Sequence, residues 1–501
     1  MRTTLLALLL TAIAAAQEKA QPAADRILTA QRETLIGEVV EYDPAGTLVF
    51  KTSARTLRIP IEEVSRLTFE EQPKVTAATG QRITLCQGGQ LTGTITGYED
   101  GKFAIETENG SFTVSRKDVK SAVFGALDGS LPELKDEKKD VLLYLGEGDK
   151  SKEIKAEYGD VVKIDKENVY LKVGTEEKHV ARAQARVIHI TEERRAEVSQ
   201  GWFTKLIFKN GDKLVGVLKA VTADKVTIFS HYLGKATFAK KALHSVTFVP
   251  AARMSVGNII VCDQTGVHEY ERGGKKIWSY NNQNVNYPWA AVKLENGNIL
   301  VANTNYNQVV EIKPKEGSGG EIVWQLDNIQ YPYDVQRLDN GNTLVAEYYA
   351  SMVSEYDFKE KQRKWQTPRV GYPISCQRLE NGNTLIASNQ GVFEVNKEGK
   401  DVWRANVAGL MPWRASRLDN GNTLIIDMRR GSVIEITSNQ KCEKVWSMEG
   451  LQRPVAAIRL DDGNTLIMEQ GSNQIIEVDP LKKQPVPVIK GLSYPLNMST
   501  Y

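Results

Sequence analysis

Six oxygen-bearing side chains recur in the second half of this 501-residue chain, each at the end of a short apolar run. They are Asp263, Asn303, Glu347, Ser388, Asp427 and Glu469. Carboxylate and amide oxygens are the ligands that Ca²⁺ takes in proteins. We therefore consider a metal site formed by Asp263, Asn303, Glu347, Asp427 and Glu469, if the fold gathers them. The alternative is that each side chain caps its own turn by accepting hydrogen bonds from nearby backbone N–H groups.

A second group of candidates consists of aromatic and polar residues close to recurring prolines or to the same apolar runs. Its members are Trp289, Tyr333, Asp334, Trp413, Arg414, Asn497, Tyr348 and Arg429. Aromatic side chains and arginine together are typical of binding surfaces. The alternative is that the aromatics pack between repeats and the arginines are solvated. No nucleophile–base pair, metal-ligand spacing or phosphate loop stands out, so we assign no catalytic residue.

An internal repeat positions both groups. The pair Gly-Asn recurs at intervals of 39 to 44 residues, as the positions of its glycines show: Gly257, Gly297, Gly341, Gly382, Gly421 and Gly463. A proline precedes each full copy, and a tryptophan closes most copies. In the copy RLDNGNTLIID (417–427), Arg-Leu ends one strand, Asn-Gly makes a tight turn, and the apolar run forms the next strand.

Each repeat predicts four short antiparallel strands in about 40 residues, which is typical of a β-propeller blade. The first copy lacks its opening strand, whereas the last residues, YPLNMSTY (494–501), form an opening strand with no blade after it. We predict that this C-terminal strand completes the first blade. The result is a six-bladed propeller over residues 254–501, closed by its own C-terminus.

The phrase GNTLI after P-x-x-x-x-R-L resembles the blades of bacterial arylsulfotransferase-type and NHL-type propellers. The segments GKKIW (274–278) and GKDVW (399–403) are similar to the tryptophan-docking motif of PQQ dehydrogenase blades. An arylsulfotransferase would use a histidine nucleophile near the channel. The one histidine of this half, His268, falls on a third strand, where we expect a surface or half-buried side chain. A PQQ enzyme would show adjacent cysteines, whereas the four cysteines here are far apart and are expected to be free thiols.

The first half carries a weaker repeat of about 45–55 residues, in which five alternating strands resemble a small SH3-like or Sm-like barrel. The whole chain is therefore predicted to be all-β. Its predicted order is a signal peptide (1–16), a linker (17–31), barrels at 32–71 and 78–126, a charged linker (127–139), barrels at 140–192 and 201–250, and the propeller.

The first residues, MRTTLLALLLTAIAAAQE, predict a secretory signal peptide cleaved after Ala16. No later segment is long and apolar enough to span a membrane. The net charge of +2 gives no strong field for nucleic acid. We thus expect an exported protein, periplasmic or extracellular, with no nucleic-acid partner and no transmembrane segment.

These observations favour a non-catalytic binding or scaffolding protein whose propeller face binds a protein, a glycan or a small molecule. No cofactor is expected, with Ca²⁺ as the one candidate. The alternative is a metal-dependent, lactonase-like hydrolase or an arylsulfotransferase-like enzyme that uses the propeller channel.

Overall fold

The computed structural model describes residues 25–250 and 258–500 with internal gaps. The gaps are 30–33, 44–45, 70–79, 87–88, 126–138, 147–152, 191–201, 231, 295, 339, 380, 419–420, 461–462 and 481–482. The predicted signal peptide and residues 127–138 of the charged linker lie outside the described residues. Within the described ranges, no helix is long and apolar enough to cross a membrane.

Four small antiparallel units occupy the first half. The first contains β1 (Asp25–Thr29), β2 (Thr34–Asp43), β3 (Thr47–Lys51), β4 (Thr56–Pro60) and β5 (Val64–Thr68), with the 3₁₀ helix η1 (Ile61–Glu63) before β5. The second contains β6 (Gln81–Leu85), β7 (Gln90–Glu99), β8 (Lys102–Thr107), β9 (Gly110–Ser115), η2 (Arg116–Asp118) and β10 (Val119–Val123). The third contains β11 (Val141–Leu145), β12 (Ile154–Tyr158), β13 (Asp160–Ile164), β14 (Asn168–Val173), β15 (Glu176–Ala181) and β16 (Ala185–His189). The fourth contains β17 (Trp202–Phe208), β18 (Lys213–Val221), β19 (Lys225–Ser230), β20 (Gly234–Ala239), η3 (Lys240–Ala242) and β21 (Leu243–Pro250).

In every unit the first strand pairs with both the second and the last, so the sheet curls around its own apolar residues. The strand β1 falls within the stretch 17–31 that we predicted to be a linker. That boundary is corrected here, because β1 supplies the central pairing of the first unit, which begins at Asp25. Four of the five residues of β1 are buried, so the strand lacks the alternation of buried and exposed residues by which the other strands of the first half were predicted.

The four units associate in two pairs through their last strands. The strand β5 pairs with β21, and β10 pairs with β16. Each pair is joined by a similar ion pair, in which a basic residue that opens a 3₁₀ helix meets a buried aspartate of the other unit. Lys240 Nζ lies 2.5 Å from Asp25 Oδ2, and Arg116 lies 2.7 Å from Asp140 Oδ2. The repeat therefore extends to the contacts between units.

Six four-stranded antiparallel sheets form the second half, in agreement with the predicted all-β, six-bladed propeller. Blade two contains β25 (Pro288–Lys293), β26 (Ile299–Asn303), β27 (Gln308–Pro314) and β28 (Gly320–Leu326). Blade three contains β29 (Pro332–Arg337), β30 (Thr343–Glu347), β31 (Met352–Tyr356) and β32 (Arg363–Gln366). Blade four contains β33 (Pro373–Arg378), β34 (Thr384–Ser388), β35 (Gly391–Val395) and β36 (Asp401–Arg404). Blade five contains β37 (Arg414–Arg417), β38 (Thr423–Asp427), β39 (Ser432–Ile436) and β40 (Lys444–Met448). Blade six contains β41 (Pro454–Arg459), β42 (Thr465–Glu469), β43 (Gln474–Val478) and β44 (Pro485–Lys490). A further 3₁₀ helix, η4 (Thr304–Tyr306), follows β26.

The first blade closes the ring as predicted. It contains β22 (Ile259–Asp263), β23 (Gly266–Tyr270) and β24 (Lys276–Tyr280), and its inner strand is the C-terminal β45 (Asn497–Thr500). The strand β45 pairs antiparallel with β22, from Ile259 opposite Thr500 to Cys262 opposite Asn497. All four cysteines are free thiols; Cys86 is half-buried and the other three are buried.

The repeated phrase R-L-x-N-G-N-T-L builds the contact between neighbouring blades. In blade two, Asn296 and Asn298 donate side-chain N–H groups to Glu311 Oε1 at 3.1 and 2.7 Å. The other carboxylate oxygen of Glu311 accepts a 2.8 Å hydrogen bond from Arg337 of blade three. A cation–glutamate pair of 2.6 to 2.9 Å joins each of the other interfaces: Lys293–Glu269, Arg378–Glu355, Arg417–Glu394, Arg459–Glu435 and Arg272–Glu477.

The tryptophan on the outer strand of each of the first five blades completes this contact. Trp324 Nε1 donates to the Phe358 carbonyl of blade three at 2.8 Å, and the Arg337 guanidinium lies 4.5 Å from its ring centroid. Trp278, Trp365, Trp403 and Trp446 likewise donate to a carbonyl of the following blade. The tryptophans thus pack between blades, as the sequence indicated.

The first half contacts the propeller at the face that carries the turns between strands one and two. Lys120 donates from its Nζ to Asn464 Oδ1, in such a turn of blade six. Lys120 Nζ and His189 Nε2 each lie 3.9 Å from Asp479 Oδ2. The turns between strands two and three lie at the opposite end of each blade.

Candidate functional site

An aromatic cluster covers the end of the propeller that faces away from these contacts. We call it the aromatic face, and it contains Trp289, Tyr331, Tyr333, Tyr348, Tyr349, Tyr372 and Trp413. These residues belong to blades two to five, either where a first strand begins or in the turn after β30. First strands begin where second strands end, because the two are antiparallel. This register brings two separate stretches of each repeat to one surface.

The floor of the aromatic face is a stack across three blades. The rings of Trp289 and Tyr333 are parallel within 4°, with their centroids 4.0 Å apart. Trp413 of blade five lies 5.9 Å from Trp289 at 45°. Tyr333 is buried in this stack, and burial is the main cause that raises its pKa well above that of an ordinary tyrosine.

The outer layer consists of tyrosines that pack on one another and leave two rings open to solvent. The ring centroid of Tyr348 lies 4.3 Å from that of Tyr333 and 5.0 Å from that of Tyr372. The ring centroid of Tyr349 lies 4.8 Å from that of Tyr331. Tyr349 is 62% exposed and Tyr372 is 44% exposed. The two exposed rings therefore pack on the half-buried rings of Tyr331 and Tyr348, which restrict their positions before any ligand arrives.

Beneath the stack, Arg414 crosses the centre of the ring. Its guanidinium donates to the carbonyl oxygens of Trp289 at 3.1 Å and Tyr333 at 3.2 Å, and it lies 3.3 Å from Asp334 Oδ1. Blades five and two are on opposite sides of a six-bladed ring, so this side chain spans the channel. Asp334 also accepts the Cys376 backbone N–H at 3.1 Å. Burial raises the pKa of Asp334, and the nearby Arg414 partly opposes that rise.

The structure brings together six of the eight predicted binding residues: Trp289, Tyr333, Asp334, Trp413, Arg414 and Tyr348. Arg414 and Asp334 form the support under the stack, where they are largely buried. Arg429 is exposed in the turn after β38. Asn497 is buried on β45, where its Oδ1 accepts the backbone N–H of Met498 at 2.8 Å.

The predicted metal ligands each hydrogen-bond near the loops of their own blade. Glu469 accepts from the backbone of Gln452 and from Ser472 and Gln474, at 2.7 to 2.8 Å. Asp263, Asn303, Glu347 and Asp427 likewise accept a backbone N–H from the loop that leads into the blade. Two of these residues also cap the turn after their own second strand, because Asp263 Oδ1 accepts the Thr265 N–H at 2.8 Å and Asp427 Oδ1 accepts the Arg430 N–H at 3.0 Å.

Among the residues that the structure describes, no three His, Cys, Asp or Glu side chains form a group that could hold a metal ion. Ca²⁺ stays a candidate ligand of the carboxylates, and a binding experiment tests it.

His268 is buried rather than exposed or half-buried, which corrects the expectation from its strand position. Its Nε2 lies 2.8 Å from Thr265 Oγ1 and 3.1 Å from Asp263 Oδ1. Both contacts use the same ring nitrogen, whereas a nucleophile–histidine–carboxylate relay needs both nitrogens. The hydrogen bonds from His268 and Thr265 outweigh burial and lower the pKa of Asp263.

The sequence reasoning missed a ring formed by the residue before each proline: Tyr287, Tyr331, Tyr372, Met411, Arg453 and Tyr494. Four of these have a left-handed backbone: φ is 56° at Tyr287, 59° at Tyr331, 53° at Arg453 and 52° at Tyr494. That conformation costs a bulky residue roughly 1–2 kcal/mol, and such residues cluster at functional sites. The repeated Tyr-Pro dipeptide was the available signal.

Comparison with known proteins does not assign this chain to a family. No family model matches the chain, and no curated protein matches it. Among solved structures, a protein of unknown function from Bacteroides caccae is 15% identical, with 49% of this chain and 98% of that one covered and a TM-score of 0.41. The WD40 propeller domain of Doa1 is 10% identical over 48% and 82%, with a TM-score of 0.39. Virginiamycin B lyase from Staphylococcus aureus is 12% identical over 59% and 90%, with a TM-score of 0.35. Likeness at this level carries no argument about a ligand or a reaction.

Proposed function

We propose that the propeller is a non-catalytic binding module and that its aromatic face holds the ligand. The observation that carries the proposal is the arrangement of Tyr349 and Tyr372, two exposed rings supported by Tyr331 and Tyr348. Apolar surface that is held rigidly in contact with water is typical of interaction sites. We further propose that the four N-terminal units are SH3-like barrels that act as the scaffold, and that the protein is exported.

Two features support the non-catalytic part. The only histidine of the propeller, His268, is buried and uses a single nitrogen for both of its contacts. The second-strand carboxylates Asp263, Glu347, Asp427 and Glu469 already accept hydrogen bonds from neighbouring loops. Neither group is arranged as an acid–base pair around a reacting atom.

The test compares the protein with a variant of the exposed rings. The chain from residue 17 onward is applied to a printed array of oligosaccharides and peptides, together with Tyr349→Ala/Tyr372→Ala. Each lost ring stack weakens binding by about 0.5–1.5 kcal/mol, so we expect the double variant to bind its array ligand roughly 10-fold more weakly. Val486→Ser is the matched control, because Val486 has the same 62% exposure on an outer strand.

Binding that survives the double substitution, or an array without any bound probe, would contradict the proposal. Loss of binding in the Val486→Ser control would also contradict it, since the effect would then not belong to the aromatic face. Export is tested separately, by N-terminal sequencing of the protein recovered outside the producing cytoplasm. We expect Gln17 as the first residue.

A further inference from the structure

The loops around the aromatic face divide into two sectors of different chemistry. Around blades one to four they are rich in exposed amide side chains: Gln264, Asn281, Asn282, Gln283, Asn284, Asn286, Asn305, Asn307, Asn328, Gln330, Asn389 and Gln390. Around blades five and six they carry three exposed arginines, Arg429, Arg430 and Arg453. We call these the amide sector and the arginine sector.

Resting on the proposed binding role of the aromatic face, we infer that its ligand is an acidic polysaccharide. A pyranose ring has an apolar face of C–H groups and an edge of hydroxyls. The apolar face stacks on an aromatic ring, and amides can both donate to and accept from hydroxyls. The amide sector offers both groups side by side, since Tyr331 OH donates to Asn305 Oδ1 at 3.2 Å and Tyr331 N donates to Asn307 Oδ1 at 3.0 Å.

The arginine sector carries the positive charge that would bind the acidic groups of such a polysaccharide. A guanidinium recognises a carboxylate or a sulfate by paired, charge-assisted hydrogen bonds. The side chain of Arg430 is 55% exposed, and the nearby Asp427 is 2% exposed and lies 3.9 Å from its Nε. Glu449, in the loop that contains Arg453, lies 3.8 Å from Lys444. The sector therefore keeps an excess of positive charge toward solvent.

Asp427 holds the arginine sector against the aromatic face. Its Oδ2 accepts the Met411 N–H at 3.1 Å, and its Oδ1 accepts the Arg430 N–H at 3.0 Å. The segment that begins at Met411 leads to Trp413, which packs on Trp289 in the floor. Asp427 thus acts as a positioning residue that joins the arginine turn to the aromatic stack. A ligand that spans both sectors would meet rings and charges at a fixed spacing.

The charge distribution disfavours a nucleic acid. Single strands are bound along a continuous cationic groove with stacked aromatic rings. In the described loops of blades one to four that surround the aromatic face, Arg369 is the one basic residue. A chain with a charge on every residue would find a single loop cation there, Arg369. Neutral, hydroxyl-rich stretches with separate acidic groups fit both sectors.

The experiment uses calorimetric titration of the protein with two ligands of equal length, an oligosaccharide in which uronate residues are separated by neutral sugars and its methyl ester. Esterification removes the charge and keeps the sugar. We expect the acid to bind about 10- to 150-fold more tightly, as hydrogen bonds to charged groups contribute roughly 1.5–3 kcal/mol. A lightly sulfated dextran fragment, in which most residues are neutral, forms a third arm that distinguishes sulfate from carboxylate as the anionic group.

Three variants separate the contributions of the sectors. Arg429→Gln/Arg430→Gln should reduce affinity for the acid to that for the ester and leave the ester unchanged. Tyr349→Ala/Tyr372→Ala should weaken both ligands. The control Lys397→Gln, at a side chain 82% exposed in another turn, should change neither.

Equal affinity for acid and ester overturns the inference, as does an arginine variant that weakens both alike. If neither anionic glycan binds but a peptide or a neutral glycan does, and that binding needs Tyr349 and Tyr372, the inference is wrong while the proposed binding function stands. If every binding probe is insensitive to those tyrosines, both are wrong.

Discussion

Replacing Arg337 by methionine tests whether the repeated phrase of this sequence holds the blades together. Arg337 and Glu311 form the most buried of the six interblade pairs, with side chains only 2% and 6% exposed. Removing one partner of a buried ion pair costs about 3–5 kcal/mol, because the other charge stays buried without its counter-ion. The substitution also removes the guanidinium from the face of Trp324, 4.5 Å away.

Thermal unfolding followed by tryptophan fluorescence is the suitable assay, because seven of the eight tryptophans lie in the propeller. For a domain of this size, 1 kcal/mol shifts Tm by roughly 2–4 °C. We therefore expect Arg337→Met to lower Tm by at least about 6 °C, the product of the lower limits. The control is Lys364→Met, which breaks an exposed pair with Glu360 that contributes about 0–1 kcal/mol.

A double variant isolates the pair itself. In Arg337→Met/Glu311→Gln the buried charge is gone and the amides of Asn296 and Asn298 still have an oxygen to donate to. We expect this protein to be more stable than Arg337→Met alone, since no charge is left buried without its counter-ion. If Arg337→Met melts within the range of Lys364→Met, the interblade contact does not stabilise the ring as argued.

Three further predictions concern closure, pH and metal. Deleting residues 497–501 removes the inner strand of blade one, so we expect a loss of cooperative melting and an increase in light scattering, whereas deleting Tyr501 alone should change neither. Because the pKa of Asp263 is lowered in the folded protein, its contribution to stability is present above about pH 4 and is lost as pH falls through its folded pKa. Asp263→Asn should therefore flatten the decrease in Tm between pH 5 and pH 3. An unchanged slope of Tm against pH in this range would show that the hydrogen bonds from His268 and Thr265 do not stabilise the fold. Calorimetric titration with Ca²⁺ should give no heat, because the second-strand carboxylates already accept local hydrogen bonds, and a saturable heat with a raised Tm would establish the metal site instead.

The ring could be predicted because its signals are local and repeated. Asn-Gly turns, prolines and tryptophans recur at one interval, and turn chemistry acts within a few residues. The opening strand left over at the C-terminus then fixes both the number of blades and the way they close. Three independent columns with one period leave little freedom for another architecture.

The contacts between blades could not be predicted in the same way. The phrase RLDNGNTLIID was interpreted as strand, turn and strand, yet Arg417 reaches Glu394 of the preceding blade at 2.9 Å. Its partner lies on a third strand that the sequence pattern presents only as one polar position among apolar ones. The Arg414–Asp334 pair is a stronger example, because it crosses the channel and no spacing along the chain encodes that distance.

The contrast between framework and face is itself an argument about function. A cation–glutamate pair joins all six blade interfaces, so those residues can only fix the ring. A symmetric framework presents the same surface six times and selects nothing. Selection must therefore come from positions at which the blades differ, and these are the residues beside each proline and in the turns after the second strands. There, aromatic rings, amides and arginines are unevenly distributed, and four residues hold left-handed backbones that cost stability. A ligand that spans several blades would therefore be recognised at the end of the propeller where the blades differ from one another.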